Sequence, residues 1–336
     1  MASVTDKLPR ARLAHLPTPI DALPHLSGVL GGPELFVKRD DQTGLATGGN
    51  KVRKLEFLIA EALENGADTV ITAGSTQSNH ARQTAAAAAR SGLACHLVLY
   101  TPGGKAPAAI NGNILLDYLL GAVIHWTTER APYDETIAQV EAQIKADGGK
   151  PHVIPYGGSN ATGIMGYVAA MEELAAQMKT SGPFDVVVFA TSSGGTQAGM
   201  ILGAKIAGLA GKTRLLGISV DRPKDELAPH VTALAVQGAR LLGIERDEAD
   251  IAAAVEIDDA YLGGGYAVIG DMEREAVSLL ARHEGILADP VYTGRALGGL
   301  IDLIRRGAFG GEERVLFLHT GGSASLFAFT DELGLG

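Results

Sequence analysis

The stretch Asp185-Val186-Val187-Val188-Phe189-Ala190-Thr191-Ser192-Ser193-Gly194-Gly195-Thr196-Gln197-Ala198-Gly199 reads as a strand, a turn and the start of a helix. Asp185 to Ala190 is a nearly continuous apolar run, the pattern of a strand buried on both faces; a strand with one wet face would alternate. The Gly194-Gly195 pair permits a tight turn in which backbone N–H groups converge, and Ser193 and Thr196 add hydroxyls. A helix N-terminus reached through such a turn suits an anion, and a phosphate in particular. No Gly-Lys-Ser/Thr follows, so this is not a Walker A loop, and the Gly-x-Gly-x-x-Gly dinucleotide pattern is absent.

The same strand-to-helix alternation extends outward in both directions. Thr69 to Ala73 reads as a strand and Ser78 to Arg90 as an Ala-rich helix. Cys95 to Tyr100 reads as a strand, Ala109 to Leu120 as a helix, Ala122 to Trp126 and His152 to Ile154 as strands. Beyond the opening stretch, Thr196 to Ala210 reads as a helix, and Arg214 to Val220 and Val315 to His319 as strands. Repeated strand–helix–strand units predict an α/β fold with parallel sheets flanked by helices. A length of 336 residues suggests about two domains. Gly-rich breaks at Thr47-Gly48-Gly49 and Tyr156-Gly157-Gly158-Ser159 are the candidate hinges, which would set a ligand cleft between the domains.

Composition narrows the class. The net charge is −10 and no basic stripe stands out, so nucleic acid is not expected as a partner. No run approaches about 18 apolar residues, and Met1 to His15 lacks an apolar signal region, so neither membrane insertion nor export is expected. Cys95 is the only cysteine, which excludes an intrachain disulfide and suits a cytoplasmic protein. No histidines pair at metal-ligand spacing, so no metal is expected. Glycine is abundant, 44 residues, consistent with many tight turns and close backbone approaches to something bound.

Three further segments carry chemistry. Gly44-Leu45-Ala46-Thr47-Gly48-Gly49-Asn50-Lys51-Val52-Arg53-Lys54-Leu55-Glu56 delivers Lys51 to a helix start, where the dipole disfavours its protonated form; on this segment alone it is either a Schiff-base nucleophile or a solvated lysine of the first turn. Gly74-Ser75-Thr76-Gln77-Ser78-Asn79-His80 opens a helix after a strand and offers either an anion site or a plain N-cap. Near the C-terminus, Asp289-Pro290-Val291-Tyr292-Thr293-Gly294 and His319-Thr320-Gly321-Gly322-Ser323 present Tyr292 as a candidate general acid and Thr320 as a hydroxyl against a planar ring; Tyr266 is similarly presented on Gly263-Gly264-Gly265. A phosphate on the Ser193–Thr196 turn, a carbonyl joined to lysine and a ring against Thr320 together describe pyridoxal phosphate.

These motifs resemble the fold type II, tryptophan-synthase-β-like pyridoxal-phosphate enzymes, in the branch that holds D-cysteine desulfhydrase and 1-aminocyclopropane-1-carboxylate deaminase. The similarity runs from His15-Leu16-Pro17-Thr18-Pro19 to Gly322, and Gly-Gly-Asn-Lys-x-Arg-Lys-Leu-Glu with Gln-Ser-Asn is specific to that branch. The resemblance implies that Lys51 binds the cofactor covalently, that Asn79 bonds its ring hydroxyl and that Ser193, Gly194, Gly195 and Thr196 hold its phosphate, with Thr320 at the ring. It implies Ser78, Asn79, His80 and Gln77 as substrate contacts, with Ser78 also assisting proton transfer, Tyr266 and Tyr292 lining the substrate pocket, and a homodimer. It also implies a large domain from residues 1–50 and 166–336 and a small domain from 51–165. His80-Ala81, Thr293 and Thr320 are similar to the desulfhydrase type, where the deaminases carry Gln-Thr, Glu and Leu. A threonine hydroxyl beside the ring nitrogen makes a milder electron sink than a carboxylate, so Thr293 with Thr320 fits β-elimination of a thiolate. The implied activity is D-cysteine desulfhydration; L-cysteate sulfo-lyase, the deaminase and a non-catalytic phospholigand-binding protein are the alternatives.

Overall fold

The structure is a computed structural model that describes residues 3–334. Its strands are β1 (Ile20–Ala22), β2 (Glu34–Lys38), β3 (Thr69–Ser75), β4 (Ala94–Tyr100), β5 (Val123–Thr127), β6 (Pro151–Val153), β7 (Val186–Thr191), β8 (Arg214–Ser219), β9 (Glu256–Asp258) and β10 (Arg314–Leu318). Its α-helices are α1 (Pro24–Leu30), α2 (Lys51–Glu64), α3 (Asn79–Ser91), α4 (Gly112–Leu119), α5 (Asp134–Ala146), α6 (Met165–Ser181), α7 (Gly195–Ala207), α8 (Lys224–Leu241), α9 (Glu248–Ala252), α10 (Asp271–Glu284) and α11 (Thr293–Arg305).

The strands form two sheets, one of six strands in the order β1-β2-β10-β7-β8-β9 and one of four in the order β5-β4-β3-β6. Every pairing is parallel except β1 with β2, which is antiparallel at the sheet edge, so both sheets are mostly parallel as expected. The apolar run of β7 is buried on both faces as its composition requires. Val187 and Phe189 join the core under α6, α7 and α8, while Val186 and Val188 join the core under α1, α10 and α11. Each fully buried side chain of this kind contributes roughly 1.5–3 kcal/mol relative to exposure. The four-stranded sheet is covered likewise, by α2 and α3 on one side and by α5 on the other.

The Arg53 cluster anchors α2. Arg53 is buried, with Nε 2.8 Å from Asp40 Oδ2 and Nη2 2.9 Å from Glu173 Oε1. Tyr167 donates to the same Asp40 oxygen at 2.6 Å, and Thr18 donates to Asp40 Oδ1 at 2.8 Å. Glu56, one turn on, accepts from the amides of Leu13 and Ala14 at 2.9 Å each. The residues that begin α2 are thus fixed to the segment after β2, to α6 and to the N-terminal segment.

Candidate active site

Three loops that leave the carboxyl ends of β3, β7 and β10 meet the start of α2. In parallel α/β sheets this is where ligands bind. They enclose a cleft lined by Asn50, Lys51, Ser78, Asn79, His80, Tyr156, Thr191, Ser193, Gly194, Thr196, Tyr292 and Thr320, among others.

Close backbone approach brings Lys51 here. Gly48 has φ +71°, and a Cβ on it would lie 2.0 Å from the Asp41 carbonyl oxygen. The Asn50 amide donates to the Thr320 carbonyl at 2.9 Å, which locks the start of α2 to the loop after β10. The Lys51 amine has one polar neighbour, Asn50 Oδ1 at 3.4 Å. Burial lowers its pKa to about 8, against the opposing attraction of Asp289. The sequence pointed to the helix dipole for this lowering; the dominant cause is desolvation.

The Ser193–Thr196 turn opens α7. Gly194 is its N-cap in the left-handed region, φ +76°. Asn50 Nδ2 donates to Thr196 Oγ1 at 3.1 Å, so the Thr196 hydroxyl keeps its own proton for an acceptor in the cleft. A Cβ at Gly195 would meet Lys54 Nζ at 2.8 Å, which puts a second amine, a buried one, directly behind the turn. Lys54 donates to the Gly157 carbonyl at 3.1 Å and to Ser159 Oγ at 3.2 Å, and Ser159 bonds Ser193 Oγ at 2.9 Å. Its pKa is lowered well below the usual lysine value, first by burial and then by the Lys51 charge. An anion on the turn would relieve that cost. Lys54 was left without a role by the sequence reading; its signal is the i, i+3 spacing from Lys51, which sets both amines on one side of α2.

The wall formed by α3 is less uniform. The Ser78 hydroxyl caps α3, accepting from the Ala81 amide at 3.1 Å, and lines the cleft. Asn79 lines it too, its Oδ1 occupied by Asn113 Nδ2 at 2.9 Å. His80 bonds Thr72 Oγ1 through Nε2 at 2.9 Å, and burial followed by the charges of Lys51 and Lys54 holds its pKa well below normal, so it is neutral. Gln77 corrects the expectation of a substrate contact: its side chain accepts from the Asn113 amide at 2.8 Å, donates to the Asn111 carbonyl at 3.3 Å, and does not line the cleft.

At the opposite wall Thr191 Oγ1 is buried without a partner, and the Thr320 hydroxyl makes no hydrogen bond among the described residues. Thr293 corrects the expectation of a second ring-facing hydroxyl. It is fully buried and donates to Asp289 Oδ1 at 2.6 Å, leaving Thr320 alone at this end. Asp289 also takes the amides of Val291, Tyr292 and Thr293 at 3.0, 2.8 and 2.9 Å. Tyr292 lines the cleft; its hydroxyl lies 2.7 Å from that of Tyr266, which in turn lies 3.0 Å from Ser75 Oγ. Burial raises the pKa of both tyrosines, Tyr292 well above its ordinary value.

The unpartnered groups fit pyridoxal phosphate. The amine-backed turn would take an anion, Lys51 a carbonyl carbon, Asn79 an acceptor and Thr320 a ring. The family model for pyridoxal-phosphate dependent enzymes matches residues 11–321. The D-cysteine desulfhydrase of Salmonella newport (strain SL254) is 44% identical over 327 residues, which are 96% of this chain and 97% of the relative. That of Salmonella typhi is equally similar, 44% over 327 residues. The solved structure of an ACC deaminase homologue superposes with a TM-score of 0.89 at 38% identity, covering 98% of this chain and 97% of that one. A pyridoxal 5'-phosphate-dependent aspartate racemase shares the fold alone, with a TM-score of 0.64 at 17% identity, covering 91% of this chain and 90% of that one. With its fold type II architecture of two helix-flanked sheets, the chain belongs to the pyridoxal-phosphate dependent enzyme family.

Proposed function

We propose that the protein is a carbon–sulfur lyase that eliminates sulfide from D-cysteine and yields pyruvate and ammonia. The observation that carries this reading is the Lys51 amine, short of partners and with a pKa of about 8, across one cleft from the amine-backed Ser193–Thr196 turn. The 44% identity to D-cysteine desulfhydrases over 96% of the chain supports the substrate.

When bound, pyridoxal phosphate supplies an electron-withdrawing ring that takes up the charge left at the substrate Cα. Ser193, Gly194, Gly195, Thr196 and Lys54 would hold its phosphate, Asn79 its ring oxygen, Thr320 its ring nitrogen and Lys51 its aldehyde carbon. With substrate in the cleft, Lys51 Nζ accepts the Cα proton; a pKa near 8 keeps a useful fraction of the amine neutral at physiological pH. Ser78, at the head of α3, holds the substrate carboxylate where the helix N-terminus favours negative charge. Tyr292 keeps its proton at neutral pH and gives it to the departing sulfur, with Tyr266 and Ser75 behind it in one hydrogen-bonded file.

Among the described residues that line the cleft, Lys51 is the only cation, whereas a sulfonate leaving group calls for an added one. Arg222, at an adjoining pocket, donates instead to the Ser192 carbonyl. This favours a thiol over L-cysteate. The test is a panel of D-cysteine, L-cysteate and 1-aminocyclopropane-1-carboxylate given to the cofactor-loaded protein. Sulfide and pyruvate from D-cysteine are expected. Faster release of sulfite or of 2-oxobutyrate would replace the assignment, and a preparation that stays colourless with added cofactor would favour a non-catalytic binding protein.

The same reading takes residues 1–50 and 166–336 as the large domain and 51–165 as the small one. It also takes the protein to be a cytoplasmic homodimer. Exposed Leu115, Tyr118 and Leu119 on α4 and Phe327 nearby support the dimer, since large apolar side chains gathered on one region mark interaction surfaces. Among the described residues no helix is long and apolar enough to cross a membrane, and Cys95 is a free thiol. Sedimentation at micromolar concentration checks the dimer; a monomer would remove it.

A further inference from the structure

Asn113 on α4 is fully buried and does not line the cleft. Its Oδ1 accepts from Arg82 Nε at 3.0 Å, and its Nδ2 donates to the Gln77 carbonyl at 3.0 Å and to Asn79 Oδ1 at 2.9 Å. The ends of this file admit a single orientation. A guanidinium only donates, so Asn113 turns its oxygen to Arg82; a backbone carbonyl only accepts, so Asn113 turns its nitrogen to Gln77. The same nitrogen faces Asn79, whose oxygen is therefore held away from the cleft. Arg82 Nη2 approaches that oxygen as well, at 3.5 Å. What Asn79 has left to offer a ligand is its N–H.

We propose that Asn113 and Arg82 are positioning residues that fix Asn79 as a hydrogen-bond donor toward the cleft, so that the ligand must present an acceptor there. This rests on the assignment of the cleft to pyridoxal phosphate, whose ring oxygen is such an acceptor. Arg82 also extends the file to the loop that delivers Lys51. Its Nη1 donates to Thr47 Oγ1 and to the Gly48 carbonyl, both at 3.0 Å, and to the Ala46 carbonyl. Ala46 and Thr47 lie at φ 42° and 69°, a region that non-glycine residues hold only when neighbours enforce it. One buried guanidinium thus sets the donor on one wall of the cleft and the strained approach to the lysine on another.

Two substitutions test this. Asn113→Asp keeps the size and the acceptor for Arg82 but removes the donor to Asn79, so the Asn79 amide reverses and shows its oxygen to the cleft. Asn79→Asp removes the donor at the cleft and leaves Asn113 its acceptor; an acidic residue in a helix's first turn is well tolerated, so this variant folds if the other does not. Apoprotein is titrated with pyridoxal phosphate, reading the dissociation constant and the position of the visible band, with apoprotein melting as the control for folding. Each substitution is expected to weaken binding roughly tenfold or more and to move the band. Asn113→Asp is expected to add nothing in an Asn79→Ala background. A folded variant of either kind with the parent affinity and band overturns the proposal, as does a full additional loss from Asn113→Asp when Asn79 is already alanine. Failure of the unsubstituted protein to take up the cofactor would instead overturn the reading of the cleft, and this proposal with it.

Discussion

Two buried polar regions begin within three residues of each other on α2 and are built on opposite terms. Around Arg53 every charge is answered: Asp40 and Glu173 meet the guanidinium, and Tyr167, Thr18 and Lys38 fill the remaining positions. Around Lys51 the groups are left short: the amine has one distant neighbour, Thr191 Oγ1 has none, and Asn79 keeps a free N–H. Saturation supplies rigidity, and incompleteness supplies a place for a ligand. One short motif carries both, because successive positions on a helix point to different sides.

Lys51→Ala separates the two regions most sharply. Turnover should fall by roughly 10³-fold or more, since the covalent anchor and the base are lost together. The apoprotein should melt no lower than the parent, because a desolvated amine without an ion-pair partner adds nothing to stability. Sulfide release and thermal melting measure the two halves, and a large drop in melting temperature would erase the contrast.

Arg53→Met is the converse. It strands the buried Asp40 carboxylate, while Glu173 keeps Lys38, and should cost about 3–5 kcal/mol in a denaturant titration. Stability within about 1 kcal/mol of the parent would show that the paired cluster is not what holds α2.

Asp117 asks whether lack of partners is sufficient to mark function. Both its oxygens are buried without hydrogen bonds, yet it lies outside the cleft. Burial raises its pKa to about 8, only partly offset by Arg82. Between about pH 4 and pH 8 the unfolded chain has released this proton while the folded protein retains it, so folding takes up a proton and stability falls as pH rises through that window. Asp117→Leu should therefore stabilise the protein at pH 7 by about 1–3 kcal/mol and flatten the pH dependence, with turnover little changed. Loss of cofactor binding in this variant would make Asp117 part of the site.

The smallest effect is a titration. Acylation of the Lys51 amine in apoprotein should show a midpoint of about 8 rather than the ordinary 10.5. A midpoint near 10.5 would mean that the amine is not desolvated.

Much of this was legible in the sequence where patterns are local. The apolar run before Gly194 and the Ser78 cap each combine a strand end, a turn and a helix start, and the Gly48-Gly49 pair announces the start of α2; these specify the sheets and the loops at the cleft. The edge strands β1 and β9, three residues each, are too short to show a period. Gln77 and Thr293 were misjudged because adjacency in sequence does not say which of two neighbouring side chains faces inward; Asn113 and Asp289 decide that from other parts of the chain. The bond from Asn50 to Thr196 spans 146 positions and leaves no local trace.

The central claim concerns which of two amines, the part-buried Lys51 or the buried Lys54, receives the cofactor. Reduction of the pyridoxal-phosphate-loaded protein with borohydride, followed by digestion and peptide mass measurement, reads this directly. The added mass is predicted on Lys51, with Lys54 unmodified behind the Ser193–Thr196 turn. Modification of Lys54, or of neither residue, would contradict the account.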